Sequence, residues 1–320
     1  MLVHVDTDFG GDPDDAAAVA MLLGWPGGEV VGLTTNLEVD GQRAGCAQHY
    51  LDLAGRGDVP VAAGAAATLT GGRYLPTWGD ERHWPTAVRP VVTVAGAALD
   101  LLERNVGDGA TVLAIGALTN LALLEVLRPG ALAGVRVVVM GGWLALPPTG
   151  WPQWGPDVDF NIQADLRAAE IVVASEADLT FVPLAIAMQA QLRAADLDAL
   201  RATGPVGELL ARQSLVHAHD AGMAELAAAH DELPDDLVNF HWDPVAAAVA
   251  VRSPTVTLAP HRVRAATDPA TGALHLVDHP TGRPAHIATA LDPSAFRTTW
   301  LQAIERLPGR SAASADRPGR

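Results

Sequence analysis

The sequence predicts an α/β fold, with a mostly parallel central sheet flanked by helices. Short, nearly continuous apolar runs rich in β-branched residues recur along the chain, as expected for strands that are buried on both faces. Ala- and Leu-rich segments of helical length lie between these runs. Because strands and helices alternate, each strand is joined to the next by a helical crossover, which indicates a parallel sheet.

The elements follow in order along the chain. The predicted strands are Leu2–Val5, Val30–Thr35, Thr111–Ile115, Val135–Met140 and Leu179–Pro183. The predicted helices are Asp14–Leu23, Arg43–Ala54, Thr93–Asn105, Asn120–Leu127, Leu166–Ala174, Ala194–Ala202, Val206–Ala229 and Asp243–Val251. A β-hairpin is predicted over Val256–Val277, with its turn near 268–272. With neither an internal repeat nor a clear linker, we expect one domain over residues 1–307 and a disordered tail over 308–320.

Composition and charge disfavour several classes of partner and indicate where the protein is located. The net charge of −16 disfavours nucleic acids and anionic membranes, which both select Lys and Arg. The single cysteine, Cys46, allows no disulfide within the chain. The sequence starts with no secretion signal and contains no apolar stretch long enough to cross a membrane, so we expect a cytoplasmic protein.

Five aspartates follow the first predicted strand, at positions 6, 8, 12, 14 and 15, and no Lys or Arg precedes Arg43. One or two acids at a helix N-terminus are explained by the helix dipole. Five clustered carboxylates repel one another unless a cation lies among them, and Ca²⁺ and Mg²⁺ prefer carboxylate oxygens. The cluster also stands where open α/β sheets bind ligands, beyond the carboxyl end of a strand. It therefore predicts a site for a divalent cation.

The pattern Asp6-x-Asp8-x-Gly10…Asp14-Asp15-Ala16 resembles the N-terminal signature of the nucleoside hydrolases (inosine-uridine preferring and relatives). Phe9 stands where the family usually has Pro. Two extra residues separate the glycine from the Asp-Asp pair, so Asp12 receives no role from the family pattern. The resemblance covers roughly residues 3–300.

Four later segments also resemble family motifs: 114–120 (Gly-Pro-Leu-Thr-Asn), 137–142 (Met-Gly-Gly), 157–161 (Ala-Glu-Phe-Asn) and 240–244 (His-Asp-Pro). Each alone has an ordinary structural explanation. Asp243, for example, is also a good helix cap before Pro244. Their combination with the N-terminal signature favours the family.

The resemblance implies a Rossmann-like core and calcium-dependent hydrolysis of the N-glycosidic bond of ribonucleosides, which releases ribose and free base. The implied Ca²⁺ ligands are Asp8, Asp15, Asp243 and the carbonyl of Ile115. Asp8 is also the implied general base, and Asp6 a supporting acid. The implied substrate contacts, mostly to the ribose, are Asp14, Asn36, Asp40, Met140, Gln153, Asp159 and Asn161.

The positions of the tryptophans indicate which kind of base would be released. Trp242 precedes Asp243, as in the purine-preferring inosine-adenosine-guanosine branch of the family. Trp78 is the expected second half of a base sandwich, and the tryptophans that could replace it are Trp84, Trp151 and Trp154. All of them are equally explained as core or interface residues. His241 is a candidate acid toward the base, although neighbours on an extended segment face opposite ways.

The same sequence features are also compatible with other functions. A haloacid-dehalogenase-like phosphatase also places Asp-x-Asp after its first strand, but it needs a lysine, and this chain contains none. A protein that binds ribose or a nucleoside without efficient cleavage, and a pyrimidine-preferring hydrolase, remain alternatives. The resemblance further implies a role in purine salvage and a homodimer or homotetramer.

Overall fold

The described chain forms a mostly parallel sheet with helices on both faces, which confirms the predicted fold class. It is a computed structural model that describes residues 1–71 and 81–307. Its strands are β1 (Leu2–Thr7), β2 (Glu29–Thr35), β3 (Val61–Ala63), β4 (Thr111–Ile115), β5 (Arg136–Met140), β6 (Asp178–Val182), β7 (Gln191–Arg193), β8 (Leu237–Phe240), β9 (Val256–Thr267), β10 (Leu274–Asp278) and β11 (Arg283–Leu291).

The helices alternate with the strands over the first half of the chain and cluster after β6. They are α1 (Asp14–Leu23), α2 (Gln42–Leu53), α3 (Ala97–Gly107), α4 (Thr119–Leu127), α5 (Phe160–Gln163), α6 (Leu166–Ala174), α7 (Leu184–Ala187), α8 (Leu197–Arg201), α9 (Pro205–Asp220), α10 (Met223–Ala228), α11 (Trp242–Ala250) and α12 (Pro293–Glu305). None of the helices in the described residues is long and apolar enough to span a membrane.

The order of the strands places a cleft beside β1. The nine-stranded sheet runs β10-β9-β11-β6-β5-β4-β1-β2-β3, and the neighbours from β11 to β3 are parallel. The chain builds outward from β1 to β3, then returns to place β4 on the other side of β1. Ligands bind at such a switch point, outside the carboxyl ends of the strands. Thr7 is the last residue of β1 and pairs with Thr35 and Ile115 there.

Alternation along β1 separates the two faces of the sheet. Val3 and Val5 belong to the apolar cluster that includes α1, α11 and α12. His4 and Asp6 are also buried but face the other way, where His4 contacts Asn105 of α3. The carboxylate of Asp6 is therefore in the core, and the loop that follows β1 carries the remaining acids.

Most predicted elements are present, with a few differences. The predicted bounds of α1, α6 and β4 match, and the antiparallel pair β9-β10 confirms the hairpin. The helix predicted over 206–229 is two helices, because Gly222 adopts a left-handed φ of 65°. Strands β3, β7, β8 and β11 and helices α5, α7 and α12 were not predicted. The tail over 308–320 lies outside the described residues, and the single domain stays a prediction.

Candidate active site

A cavity of about 620 Å³ opens at the carboxyl ends of β1, β4 and β5. Nine residues that the sequence analysis selected line it: Asp8, Asp14, Asp15, Ile115, Met140, Asp159, Asn161, Trp242 and Asp243. They come from five separate segments of the sequence. The fold thus brings together motifs that are up to 235 positions apart, from Asp8 to Asp243.

Three buried carboxylates form the centre of the cavity wall. Asp14, Asp15 and Asp243 each place one oxygen within 4.8 Å of the others. Helix α1, which begins with the first two, packs against α11, which carries the third. Burial raises the pKa of all three carboxyl groups, and repulsion from neighbouring aspartates, Asp8 and Asp12 among them, raises it further. An all-oxygen donor set of this charge fits a hard divalent cation such as Ca²⁺.

Asp8 lies at the edge of this group. Its side chain is 18% exposed, and Arg43 Nη1 lies 3.9 Å from Asp8 Oδ2. Burial raises the pKa of Asp8, and the nearby guanidinium opposes that shift. Asp15, by contrast, accepts a hydrogen bond from the Thr7 hydroxyl at the end of β1. Asp8 is therefore the more accessible acid, and Asp15 is held by the sheet.

Asp6 does not line the cavity but fixes the loops around it. Its carboxylate accepts hydrogen bonds from Thr34 Oγ1 (2.5 Å), Asn36 Nδ2 (2.8 Å) and Asn120 Nδ2 (2.7 Å). Burial raises the pKa of Asp6 to about 6, and these three hydrogen bonds oppose the rise. Asp6 thereby ties the end of β1 to the end of β2 and to the start of α4.

Asn36 was predicted to contact substrate, and the structure gives it another role. It is fully buried, and besides its bond to Asp6 its amide oxygen accepts from the Ala117 N–H at 3.1 Å. Both polar ends of the side chain are therefore engaged within the protein. It is not among the described residues that line the cavity.

Two further predicted contacts also lie away from the described cavity wall. Asp40 is exposed, with a left-handed φ of 50°. Gln153 is exposed too, and its amide donates to the carbonyls of Pro147, Pro148 and Trp151. These bonds fold the Gln153 side chain onto its own loop. Trp78 lies outside the described residues.

Asp159 and Asn161 are held at the end of β5. Asp159 Oδ2 accepts from the N–H groups of Gly142 (2.7 Å) and Trp143 (3.2 Å). Gly141 is required here, because a Cβ at this position would lie 2.7 Å from Asp159 Oδ1. Asn161 Nδ2 donates to the Met140 carbonyl at 3.1 Å. Burial raises the pKa of Asp159 to about 6, and the backbone donors oppose it.

His241 is not placed to act on a leaving base. Its ring is buried against Trp300, with centroids 4.3 Å apart, and beside Phe296 at 5.8 Å. Burial lowers the pKa of His241 to about 3, so the ring is neutral near pH 7. Neighbouring Trp242 lines the cavity, whereas His241 faces α12. The proposed acid role of His241 is therefore wrong on position and charge.

Aromatic rings form one wall of the cavity. Trp154 and Trp242 line it, and both contact Phe240 beneath them, at centroid distances of 5.8 and 4.5 Å. Trp84 and Trp151, the other named substitutes for Trp78, are not among the described lining residues. Among the described tryptophans named as alternatives, Trp154 is therefore the one that lines the cavity with Trp242.

The sequence analysis missed several lining residues. Arg43 is the only basic side chain in the described lining, and its Nη1 also donates to the Phe9 carbonyl at 3.2 Å. Its position as the first arginine after the acidic cluster was an available signal. The others are Gly11, Val158, Phe160 and Leu184. Val158 and Phe160 lie inside the motif-like segment 157–161, which was the available signal for them.

A family model and curated relatives match the sequence of this chain. The family model described as inosine-uridine preferring nucleoside hydrolase matches residues 3–298. The pyrimidine-specific ribonucleoside hydrolase RihA of Salmonella enteritidis PT4 is 31% identical over 223 residues, which cover 65% of this chain and 68% of that protein.

Solved structures share the fold. A plant nucleoside hydrolase, the PpNRh1 enzyme, superposes with a TM-score of 0.78 at 24% identity, over 95% of this chain and 98% of that one. The purine-preferring ribonucleoside hydrolase from Gardnerella vaginalis gives 0.75 at 21% identity, over 96% and 99%.

Proposed function

The chain belongs to the family of inosine-uridine preferring nucleoside hydrolases and is an N-ribosyl hydrolase, and we propose that its activity depends on calcium and prefers purine ribonucleosides. The observation that carries the proposal is the group formed by Asp14, Asp15 and Asp243, buried and within 4.8 Å of one another. Three such carboxyl groups are ionised together at neutral pH only when a cation balances their charge.

The proposed calcium ligands are Asp8, Asp15, Asp243 and the carbonyl of Ile115. A Ca²⁺ ion held by these residues would supply Lewis-acid chemistry, which would lower the pKa of a water and attract the hydroxyls of the sugar. We propose that Asp14, which lies in the same group, accepts hydrogen bonds from the 2′- and 3′-hydroxyls. Asp159, Asn161 and Met140 then hold the ribose from the β5 side of the cavity.

Asp8 is the proposed general base from its place in the family signature, and its side chain is more exposed than those of buried Asp14, Asp15 and Asp243. It takes one proton from the attacking water while the water oxygen bonds to C1′. The C1′–N bond breaks, and its electron pair leaves with the base. The sugar carries positive charge as the bond breaks, which the surrounding carboxylates stabilise.

The aromatic wall supports a preference for purines. A purine presents a larger face than a pyrimidine to Trp154 and Trp242, and base-on-aromatic stacking contributes about 1–3 kcal/mol. A purine also has N7, which can take up a proton as the base departs. Because His241 is buried, the proposal assigns no histidine of the described cavity to that proton transfer.

A pyrimidine preference is the second candidate, since the 31% identical relative RihA is described as pyrimidine-specific. Assaying inosine, adenosine, guanosine, uridine and cytidine for released sugar separates the two. We expect the highest kcat/KM with a purine. A higher value for uridine or cytidine overturns the purine preference, and nucleoside binding without sugar release overturns hydrolysis itself. The cytoplasmic location, the homo-oligomer and the role in purine salvage stay predictions.

A further inference from the structure

Trp154, which lines the cavity beside Trp242, lies in a segment without regular structure. From 141 to 155 the chain forms neither helix nor strand, and three of these residues are prolines, which have no backbone N–H to donate. Such a segment takes a fixed shape through hydrogen bonds other than those within helices and strands. Two side chains of the segment supply such bonds, those of Trp143 and Gln153.

Trp143 is anchored to the sheet from both sides. Its backbone N–H donates to Asp159 Oδ2 at 3.2 Å, and its carbonyl accepts from the Leu276 N–H of β10 at 2.9 Å. Its ring meets that of His275 edge to face, with centroids 5.7 Å apart. From this position the indole N–H donates to the carbonyl of Trp154 at 3.1 Å. Trp143 thus connects the backbone of Trp154 to the sheet.

The side chain of Gln153 folds the same segment onto itself. Its Nε2 lies 3.2 Å from the carbonyl oxygen of Pro147, 2.9 Å from that of Pro148 and 3.0 Å from that of Trp151. The amide has two hydrogens, which these three acceptors share. Because Gln153 directly precedes Trp154, these bonds also limit where the Trp154 ring can lie.

The place of the Trp154 ring in the aromatic wall depends on these bonds. Its contacts with Phe240 and Trp242, each with centroids 5.8 Å apart, are apolar packing, which is largely non-directional. A hydrogen bond, by contrast, fixes both a distance and a direction. The bond from Trp143 therefore determines where the backbone of Trp154 stands beside the cavity.

We propose that Trp143 is a positioning residue for Trp154, and that it thereby raises the selectivity for purine over pyrimidine nucleosides. Trp143 is not among the described residues that line the cavity, so it acts through Trp154 rather than on the substrate. Gln153 supports the same position by closing the segment. This inference rests on the proposed function, because Trp154 belongs to the proposed stacking surface.

Comparing inosine with uridine, in the wild type and in Trp143→Phe, tests the inference. The variant loses the indole N–H but keeps an aromatic ring beside His275 and the backbone N–H that holds Asp159. We expect it to lower kcat/KM for inosine by about three- to tenfold and that for uridine by less than about twofold. Trp151→Phe makes the same change in the same segment, outside the described lining, and should leave both values unchanged.

Gln153→Glu tests the closure of the segment. A carboxylate of the same length donates no hydrogen bond, and the three carbonyl oxygens repel it. This variant should also lower kcat/KM for inosine more than that for uridine, whereas loss of a ribose contact would lower both alike. Thermal melting shows that each variant is folded.

Calorimetric titration with hypoxanthine, the free base of inosine, measures base binding without catalysis. Trp143→Phe should raise the Kd of hypoxanthine by about three- to tenfold. An unchanged Kd, or equal losses on inosine and uridine, overturns the inference, while the purine preference still stands if Trp242→Ala lowers the inosine value more. If the wild type hydrolyses no nucleoside, the proposed function fails, and the hypoxanthine titration still decides the role of Trp143.

Discussion

The indole rings of Trp154 and Trp242 are in direct contact, with centroids 5.8 Å apart and planes inclined by 53°. A base cannot lie between two rings that touch, so these two do not form the predicted sandwich. Phe240 packs beneath Trp242, with centroids 4.5 Å apart and planes inclined by 31°. Trp154 and Trp242 instead form one wall, supported by Phe240 beneath it, on which a base would stack from the cavity side.

Removing this aromatic surface should lower kcat/KM most for purine nucleosides. We expect Trp242→Ala to lower kcat/KM for inosine by the equivalent of about 1–3 kcal/mol, and that for uridine by less. Trp151→Ala is the matched control, because Trp151 packs against the same apolar cluster but is not among the described lining residues. Steady-state kinetics on both substrates measures the difference. Equal losses on inosine and uridine would argue against stacking.

Neutralising one acid of the metal group should have opposite effects with and without calcium. Without calcium, Asp243→Asn should unfold at a higher temperature than the wild type, because it removes one of three repelling buried charges. Calcium at a hundredfold excess over its Kd should stabilise the wild type by about 2.7 kcal/mol and the variant far less. Calorimetry with and without calcium measures both effects. A full calcium shift in the variant would remove Asp243 from the ligand set.

Replacing Asp8 should chiefly lower kcat. Loss of a general base lowers turnover by about 10²–10⁴-fold, so Asp8→Asn should show a kcat reduced by that factor. Asp12→Asn, at a residue to which the family signature gives no role, should retain far more of its kcat. Turnover measured at saturating calcium and adenosine makes the comparison. An Asp8→Asn enzyme as active as Asp12→Asn would contradict the general-base role of Asp8.

His4 should make the fold sensitive to acid. Its Nε2 contacts Thr34 Oγ1 at 3.0 Å and its Nδ1 accepts from Asn105 Nδ2 at 2.8 Å, so the ring is neutral in the folded protein. Burial lowers the pKa of His4 from 6.5 to about 3. The unfolded chain therefore binds a proton that the folded chain does not, and stability falls as the pH drops from 6.5 toward 3.

The slope for one such group is about 1.4 kcal/mol per pH unit. The free energy of unfolding, measured in urea near pH 7 and near pH 5, should fall less steeply with acidification in His4→Gln than in the wild type. His219→Gln, whose side chain is 85% exposed, is the control and should keep the wild-type slope. A His4→Gln protein with an unchanged slope would show that His4 is not the sensitive group.

The sequence predicted those elements whose own residues show a clear hydrophobic pattern. The alternation of strands and helices predicted most of the parallel part of the sheet. Helix α12 had a signal that was overlooked: Asp292 caps it by accepting from the Ala295 N–H, and Pro293 is its first residue. Strand β3 has only three residues, too few for a periodic pattern to be recognised.

For the site, the sequence predicted residues that lie beside a motif and missed those that reach the cavity through packing. Asp14 and Asp15 were found because they are adjacent at the start of a helix. Trp154 was named only as an alternative, and Arg43 not at all, because their place in the wall depends on how α2 and the loop after β5 pack. Asn36 follows a strand, as a ligand-binding residue would, but its amide is used by Asp6.

Hydrolysis of inosine before and after removal of calcium tests the central claim most directly. Protein treated with a chelator should release no ribose above background, and added Ca²⁺ should restore turnover in the wild type but not in Asp243→Asn. Undiminished hydrolysis by the chelated wild-type protein would contradict the assignment of Asp8, Asp15 and Asp243 to a catalytic calcium site.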